Sequence, residues 1–152
     1  MRLYIIRHGE TSWNKAKRLQ GRKDIMLDAD GIRLAEKTGE GMQDIDFDLV
    51  ISSPLIRAKQ TAELVLAGRQ IPMITDKRII EMSFGKWEGE SVRESTVLPA
   101  DYVDKFYHDP YHCPKAPGGE SFQDVLNRTA DFYQSLIKNE AYRDANILIS
   151  TH

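Results

Sequence analysis

The sequence predicts an α/β fold with helices on both faces of a parallel sheet, and three observations carry that expectation. Leu3-Tyr4-Ile5-Ile6, Leu49-Val50-Ile51 and Ile147-Leu148-Ile149 are continuously apolar rather than alternating, as strands covered on both faces of a parallel sheet are. Stretches with helical spacing separate these runs, and strands alternating with helices define the class. Each run also ends abruptly in polar residues.

The first run leads into Arg7-His8-Gly9. The helix expected after it places Ile32, Ala35, Gly39 and Met42 on one face at spacings of three and four. The second run ends in Ser52-Ser53-Pro54. Here Ser53 suits a cap and Pro54 the first helical position, with Leu55, Ala58, Ala62 and Val65 as the inner stripe. Residues 99–119, "PADYVDKFYHDPYHCPKAPGG", hold four of the six prolines and four tyrosines or phenylalanines without sustained periodicity. That composition predicts a long ordered loop with a little helix, and such loops are often lids or binding edges. Ser121 and Asp124 form a variant capping box that opens a stripe of Phe122, Val125, Leu126, Thr129, Phe132 and Leu136. The third run closes on Ser150-Thr151-His152.

At 152 residues, one domain is expected. A formal net charge of −2 leaves no footprint of nucleic acid or of an anionic membrane. No apolar run approaches the roughly 20 residues of a membrane helix, and the N-terminus lacks a secretory signal. Cys113 is the only cysteine, so no internal disulfide can form and a reducing, cytoplasmic setting is expected. Oligomeric state is not readable from the sequence.

The polar tips carry the functional reading. Ligands of open α/β sheets bind beyond the carboxyl ends of the strands. Were the three strands parallel neighbours, Arg7, His8, Arg57 and His152 would converge there, with Arg57 in a first helical turn whose free N–H groups favour an anion. A phosphate dianion suits such a pocket, because it matches the planar guanidinium fork. Two arginines would repel a metal ion, so no metal and no cofactor is expected. The role left for an imidazole is attack on phosphorus, with the arginines holding the equatorial oxygens. An acid must then protonate the leaving group. "RIIEMSFGKWEGE" offers Glu81, at an expected strand end, with Glu88 and Glu90 as rivals. Residue chemistry leaves Glu81 and Glu88 nearly level.

Arg7-His8-Gly9-Glu10-Thr11, Arg57 within "SSPLIRAKQTA", Glu81 within "EMSFGKWEG", "PGGES" and Ser150-Thr151-His152 together resemble the histidine phosphatase superfamily, the phosphoglycerate mutase-like family. The "FGKWEG" and "PGGES" forms are most similar to its small bacterial phosphatases of the α-ribazole phosphatase or broad-specificity type. The resemblance implies a three-layer α/β/α sandwich and the following roles. His8 would be the phosphorylated nucleophile and Glu81 the proton donor. Arg7, Arg57 and His152 would complete the phosphate pocket. Asn14 would touch the phosphoryl group, Thr11 belongs with the substrate-binding residues, and Gln20-Gly21 would line the entrance. Family members continue past the second histidine with a further helix and strand. The expectation is therefore a single domain over 1–152, lacking the C-terminal strand and helix, with a frayed His152 and a substrate-facing loop at 92–119.

Plainer readings stand beside these. Glu10 reads as a loop-shaping residue, Trp13 and Trp87 as packing, and His108, His112 and Cys113 as loop residues rather than a metal cluster. The functional expectation is a metal-independent phosphomonoester hydrolase of histidine acid phosphatase type, acting on a small phosphorylated metabolite. The alternatives are a 2,3-bisphosphoglycerate-dependent mutase and a catalytically weak phosphate-binding or interaction module. Phe84 stands where the mutase branch places a tyrosine, and the segment after Gly89 offers only Arg93 and Lys105 as cations.

Overall fold

Four parallel strands in the order β1-β4-β2-β3 form the sheet of the computed structural model, which describes residues 1–152. In chain order the elements are β1 (Arg2–Arg7), α1 (Ser12–Lys15), α2 (Ala29–Gly41), β2 (Leu49–Ser52), α3 (Ile56–Leu66), β3 (Met73–Thr75), α4 (Tyr102–His108), α5 (Phe122–Ile137) and β4 (Asn146–Thr151). The three apolar runs are β1, β2 and β4, side by side and parallel as expected. Register aligns their ends: Arg7 lies opposite Thr151, and Ser52 opposite Ser150. The residues just beyond the strands therefore emerge at one level.

Alternation within the strands makes the layers. Val50 and Leu148 point to one face, where Phe47, Ala62, Val65 and Leu66 cover them with Tyr4 and Ile6. Ile51, Ile147 and Ile149 point to the other, against Phe132 and Leu136 of α5. Leu148 and Ile147 have no exposed surface, and truncating such a residue to alanine costs about 2–5 kcal/mol. A third cluster lies to the side. Trp87 meets Tyr102 edge-on at 4.8 Å, and Leu19, Met82, Phe84 and Ala116 join them. The proline-rich segment is thus anchored by α4 to a small core of its own.

Several expectations change in detail. β3 escapes the sequence because it has three residues and lies at an edge, with Ile74 46% exposed. Glu81 does not end a strand: a 3-10 turn at Lys77–Ile79 intervenes after β3. Helix α3 starts at Ile56 with Leu55 as its cap residue, slightly later than Ser53-Pro54 suggests. The cap hydrogen bond comes from afar, as the Ile56 N–H donates to Asp24 Oδ1 at 2.6 Å. In α2 the buried face runs through Gly31, Ala35 and Gly39, while Ile32 faces outward. Gly31 is needed there because a Cβ would lie 2.2 Å from the Glu10 carbonyl oxygen. In α5, Leu126 is 59% exposed, since it is turned about 100° from Val125 on the helix. His152 is not frayed. Thr151 still pairs in β4, its hydroxyl donates to the Ile79 carbonyl at 2.9 Å, and the His152 side chain is 4% exposed.

Candidate active site

His8 is the first residue past β1, and its backbone N–H donates to the Thr151 carbonyl at 2.9 Å. Its side chain is buried. Nδ1 lies 2.7 Å from the carbonyl oxygen of Gly9. A carbonyl only accepts, so Nδ1 carries the ring proton and Nε2 keeps its lone pair. Burial pushes the His8 pKa down to about 4, with Gly9 opposing and the charges of Arg57 and Arg7 adding to the fall. The ring is therefore neutral at pH 7.

Arg57 has no exposed surface. It lies on the first turn of α3, which points it under the loop that follows α1. Nη1 donates to the Lys23 carbonyl and Nη2 to the Gly21 carbonyl, both at 2.8 Å. Nε is buried with no partner in the protein. Burial lowers the Arg57 pKa, opposed by Glu81, Asp24 and Glu88. The sequence expected the open N-terminus of α3 to receive the anion, but the Asp24 carboxylate already occupies it.

His152 completes the row of strand tips. Its ring centroid is 5.1 Å from that of His8, with the planes inclined at 60°. Nε2 is 2.7 Å from Ser53 Oγ, and Nδ1 is buried without a hydrogen-bond partner, 4.0 Å from Glu81 Oε2. Burial, with Arg57, His8 and Arg7 adding to it, pushes the His152 pKa down to about 2. Glu81 is partly buried, and its Oε1 accepts the Met82 N–H at 2.8 Å. Burial raises its pKa, against the pull of Met82 and Arg57. A carboxyl group with a raised pKa is suited to donate a proton.

The rivals of Glu81 are committed elsewhere. Glu88 Oε1 accepts the N–H groups of Arg22 at 3.0 Å and Phe84 at 3.3 Å. Glu90 accepts the Ser95 hydroxyl at 2.7 Å, and Glu10 sits on the surface near Lys15. Arg7 is exposed, yet its charge acts on His8, Glu81 and His152. Thr11 has no exposed surface and caps α1; its hydroxyl lies 2.9 Å from Asn14 Oδ1 and 3.0 Å from Gln20 Oε1. The Thr11 N–H also donates to Asn14 Oδ1. Thr11 and Gln20 therefore shape the wall from inside, while the Asn14 amide NH2 keeps its donors. Gly21 adopts φ +52°, and a Cβ there would lie 2.3 Å from Glu88 Oε1.

Ordered strand tips, two neutral imidazoles, a buried guanidinium and a carboxyl of raised pKa stand in a chain that matches one known family along nearly its whole length. Residues 3–152 match the histidine phosphatase superfamily (branch 1). The chain belongs to that superfamily. It is 33% identical over 148 residues to the uncharacterized phosphatase PhoE of Bacillus subtilis, covering 97% of this chain and 69% of PhoE. The crystal structure of the α-ribazole phosphatase from Shigella flexneri superposes with a TM-score of 0.87 at 37% identity, over 100% of this chain and 74% of that one. The phosphoglycerate mutase from Thermus thermophilus gives 0.79 at 29% identity, over 100% of this chain and 78% of that one. The fold is accordingly α/β and phosphoglycerate mutase-like.

One atom each of His8, Glu81 and His152 lie within 4.8 Å of one another, a spacing that a metal ion can span. The two nearby guanidinium charges oppose a cation there. His108 and His112 are occupied by Asp104 and Asp109 on the surface, and Cys113 does not join them. Sequence reasoning missed two positions. Ser53 reads only as a cap in the sequence, although it stands at a strand tip level with Thr151. Thr61 ties the loop after His8 to α3, accepting the Gly9 N–H at 3.0 Å and donating to the Arg57 carbonyl at 2.7 Å. Both lie within the "SSPLIRAKQTA" stretch, but the sequence singled out only Arg57 there and used Ser53 merely as a cap.

Proposed function

We propose that this chain is a phosphatase that hydrolyses small phosphomonoesters through a phosphohistidine on His8. The observation that carries the reading is the pinned His8 ring: Nδ1 is held by Gly9, and Nε2 is neutral with a free lone pair. Arg57 Nε and His152 Nδ1, buried and unpartnered, support it as donors suited to one anion. In the first step Nε2 attacks phosphorus, an N–P bond forms and the P–O bond to the alcohol breaks. The leaving oxygen takes the proton of Glu81. In the second step the Glu81 carboxylate removes a proton from water, and the oxygen attacks phosphorus. The N–P bond then breaks, which releases phosphate and restores His8. Arg7, Arg57 and His152 stabilise the equatorial oxygens throughout. No step needs a metal.

Mutase activity is the second reading, favoured by the likeness to the Thermus enzyme. Hydrolysis is preferred because the segment after Gly89 offers only two cations, Arg93 and Lys105, for a phosphorylated acid. The Lys105 ammonium is paired with Asp101 at 2.7 Å, and Phe84 is buried in the side cluster. The small-metabolite substrate and a reducing, cytoplasmic setting belong to the same proposal. The test is incubation with p-nitrophenyl phosphate in the presence of chelator. Release of nitrophenol that His8→Ala abolishes supports the phosphatase; tight phosphate binding without turnover favours a binding module instead.

A further inference from the structure

Ser53 lies just past β2 and has no exposed surface. Its Oγ has two polar neighbours, the Leu55 N–H at 3.4 Å and His152 Nε2 at 2.7 Å. The amide can only donate. If Nε2 also donated, the buried hydroxyl hydrogen would have no acceptor, and buried polar groups left unpaired are strongly disfavoured. On its other side Nδ1 has no hydrogen-bond partner in the protein and lies 4.0 Å from Glu81 Oε2, beyond hydrogen-bond reach, so the Ser53 contact alone selects the tautomer.

We propose that Ser53 is a positioning residue that donates to His152 Nε2 and so locks His152 as the neutral Nδ1–H tautomer, with that N–H aimed at the reacting group. Without the lock, the ring can present a lone pair to the phosphoryl oxygens and repel them. The tautomer follows from the protein's own hydrogen bonds; its consequence for turnover rests on the phosphatase reading above. His152 thus supplies a hydrogen bond without supplying a charge. Ser53 acts only through it. The loop that carries Ser53 is held independently, since the Ser53 N–H donates to the Ser150 carbonyl at 2.9 Å.

The test is long-range 1H–15N NMR of the full 15N-labelled chain at pH 7, with the His152 signals assigned by loss in His152→Ala. The expected result is a protonated Nδ1 and an unprotonated Nε2 in the free protein. Ser53→Ala is expected to lose that signature and to lower kcat on p-nitrophenyl phosphate by on the order of tenfold to a hundredfold. Ser53→Thr, which keeps the hydroxyl, is expected to recover both. A wild-type spectrum with the proton on Nε2 overturns the proposal, as does Ser53→Ala with an unchanged spectrum and unchanged turnover. The wild-type spectrum decides the tautomer even if Ser53→Ala does not fold. Because the spectrum needs no turnover, absence of phosphatase activity would sink the earlier reading and leave the tautomer to be judged separately.

Discussion

His8 Nδ1 sits 2.7 Å from the carbonyl oxygen of Gly9, and this contact decides which ring nitrogen can react. The backbone of the very next residue fixes the tautomer, so the selection is built into the strand-to-loop turn. Quenching during turnover is expected to trap an acid-labile phosphoryl group on Nε2 of His8. His8→Ala should lose both the label and all measurable turnover. Label on serine, or none under burst conditions, would remove His8 as the nucleophile.

Glu81 is the acid candidate that faces the histidines and has a raised pKa. Glu81→Gln is expected to slow alkyl phosphates by about 100-fold or more. p-Nitrophenyl phosphate should be slowed much less, because its leaving group departs without a proton. Equal slowing of both substrates would exclude Glu81 from proton donation.

Arg57 is expected to resist replacement by another cation. Two of its nitrogens are engaged by the Lys23 and Gly21 carbonyls while Nε remains available. Arg57→Lys keeps the charge but cannot reproduce the fork. It is expected to reduce kcat/KM by about 100-fold and to leave one of the two carbonyls unpaired, lowering the urea midpoint as well. Retained kcat/KM would show that charge alone suffices.

The paired histidines also predict the pH dependence of stability. Both have folded pKa values, about 4 for His8 and about 2 for His152, below the ordinary 6.5. The unfolded chain then binds protons first as pH falls below 6.5, so stability is fully present above that value and is lost on acidification. The slope is at most about 1.4 kcal/mol per pH unit for each ring. The lowered carboxylates Asp28, Asp30, Asp76, Asp101 and Asp124 add their own losses only below their ordinary value of 3.8, and Glu120 below 4.5. In the range from about pH 7 to 5 Glu81, whose pKa is raised above 4.5, contributes with the opposite sign. The His152 part is therefore read as the difference in urea midpoint between His152→Gln and the parent chain over about pH 7 to 5. Replacing His152 with Gln is expected to flatten that decline, and an unchanged slope would refute the assignment.

Gly21 joins pocket and strain. It has φ +52°, its carbonyl holds Arg57, and a side chain would strike Glu88. Gly21→Ala is expected to destabilise the fold by about 1–3 kcal/mol and to raise KM for phosphomonoesters. A Tm equal to that of wild type would contradict the strained geometry.

The sequence by itself determined the class of fold and the three main strands, and it placed His8, Arg57 and His152 at or just beyond their ends, where they would converge were the strands parallel neighbours. It could do so because an apolar run ending in polar residues is a local signal, and because the order of motifs survives without coordinates. It also placed the inner stripe of α3, where Ala58, Ala62 and Val65 are fully buried. Tertiary structure alone decided what depends on contacts between distant segments. Asp24 capping α3 spans 32 residues, and Ser53 meeting His152 spans 99. Residue chemistry left Glu81 and Glu88 level and only the family resemblance favoured Glu81. The contacts add the physical distinction, since Glu81 faces the histidines while Glu88 is held by the Arg22 and Phe84 N–H groups. Such contacts likewise ordered His152 at its strand end, and the tautomer proposed for it rests on Ser53, because protonation follows from the partner across a hydrogen bond and not from the residue type.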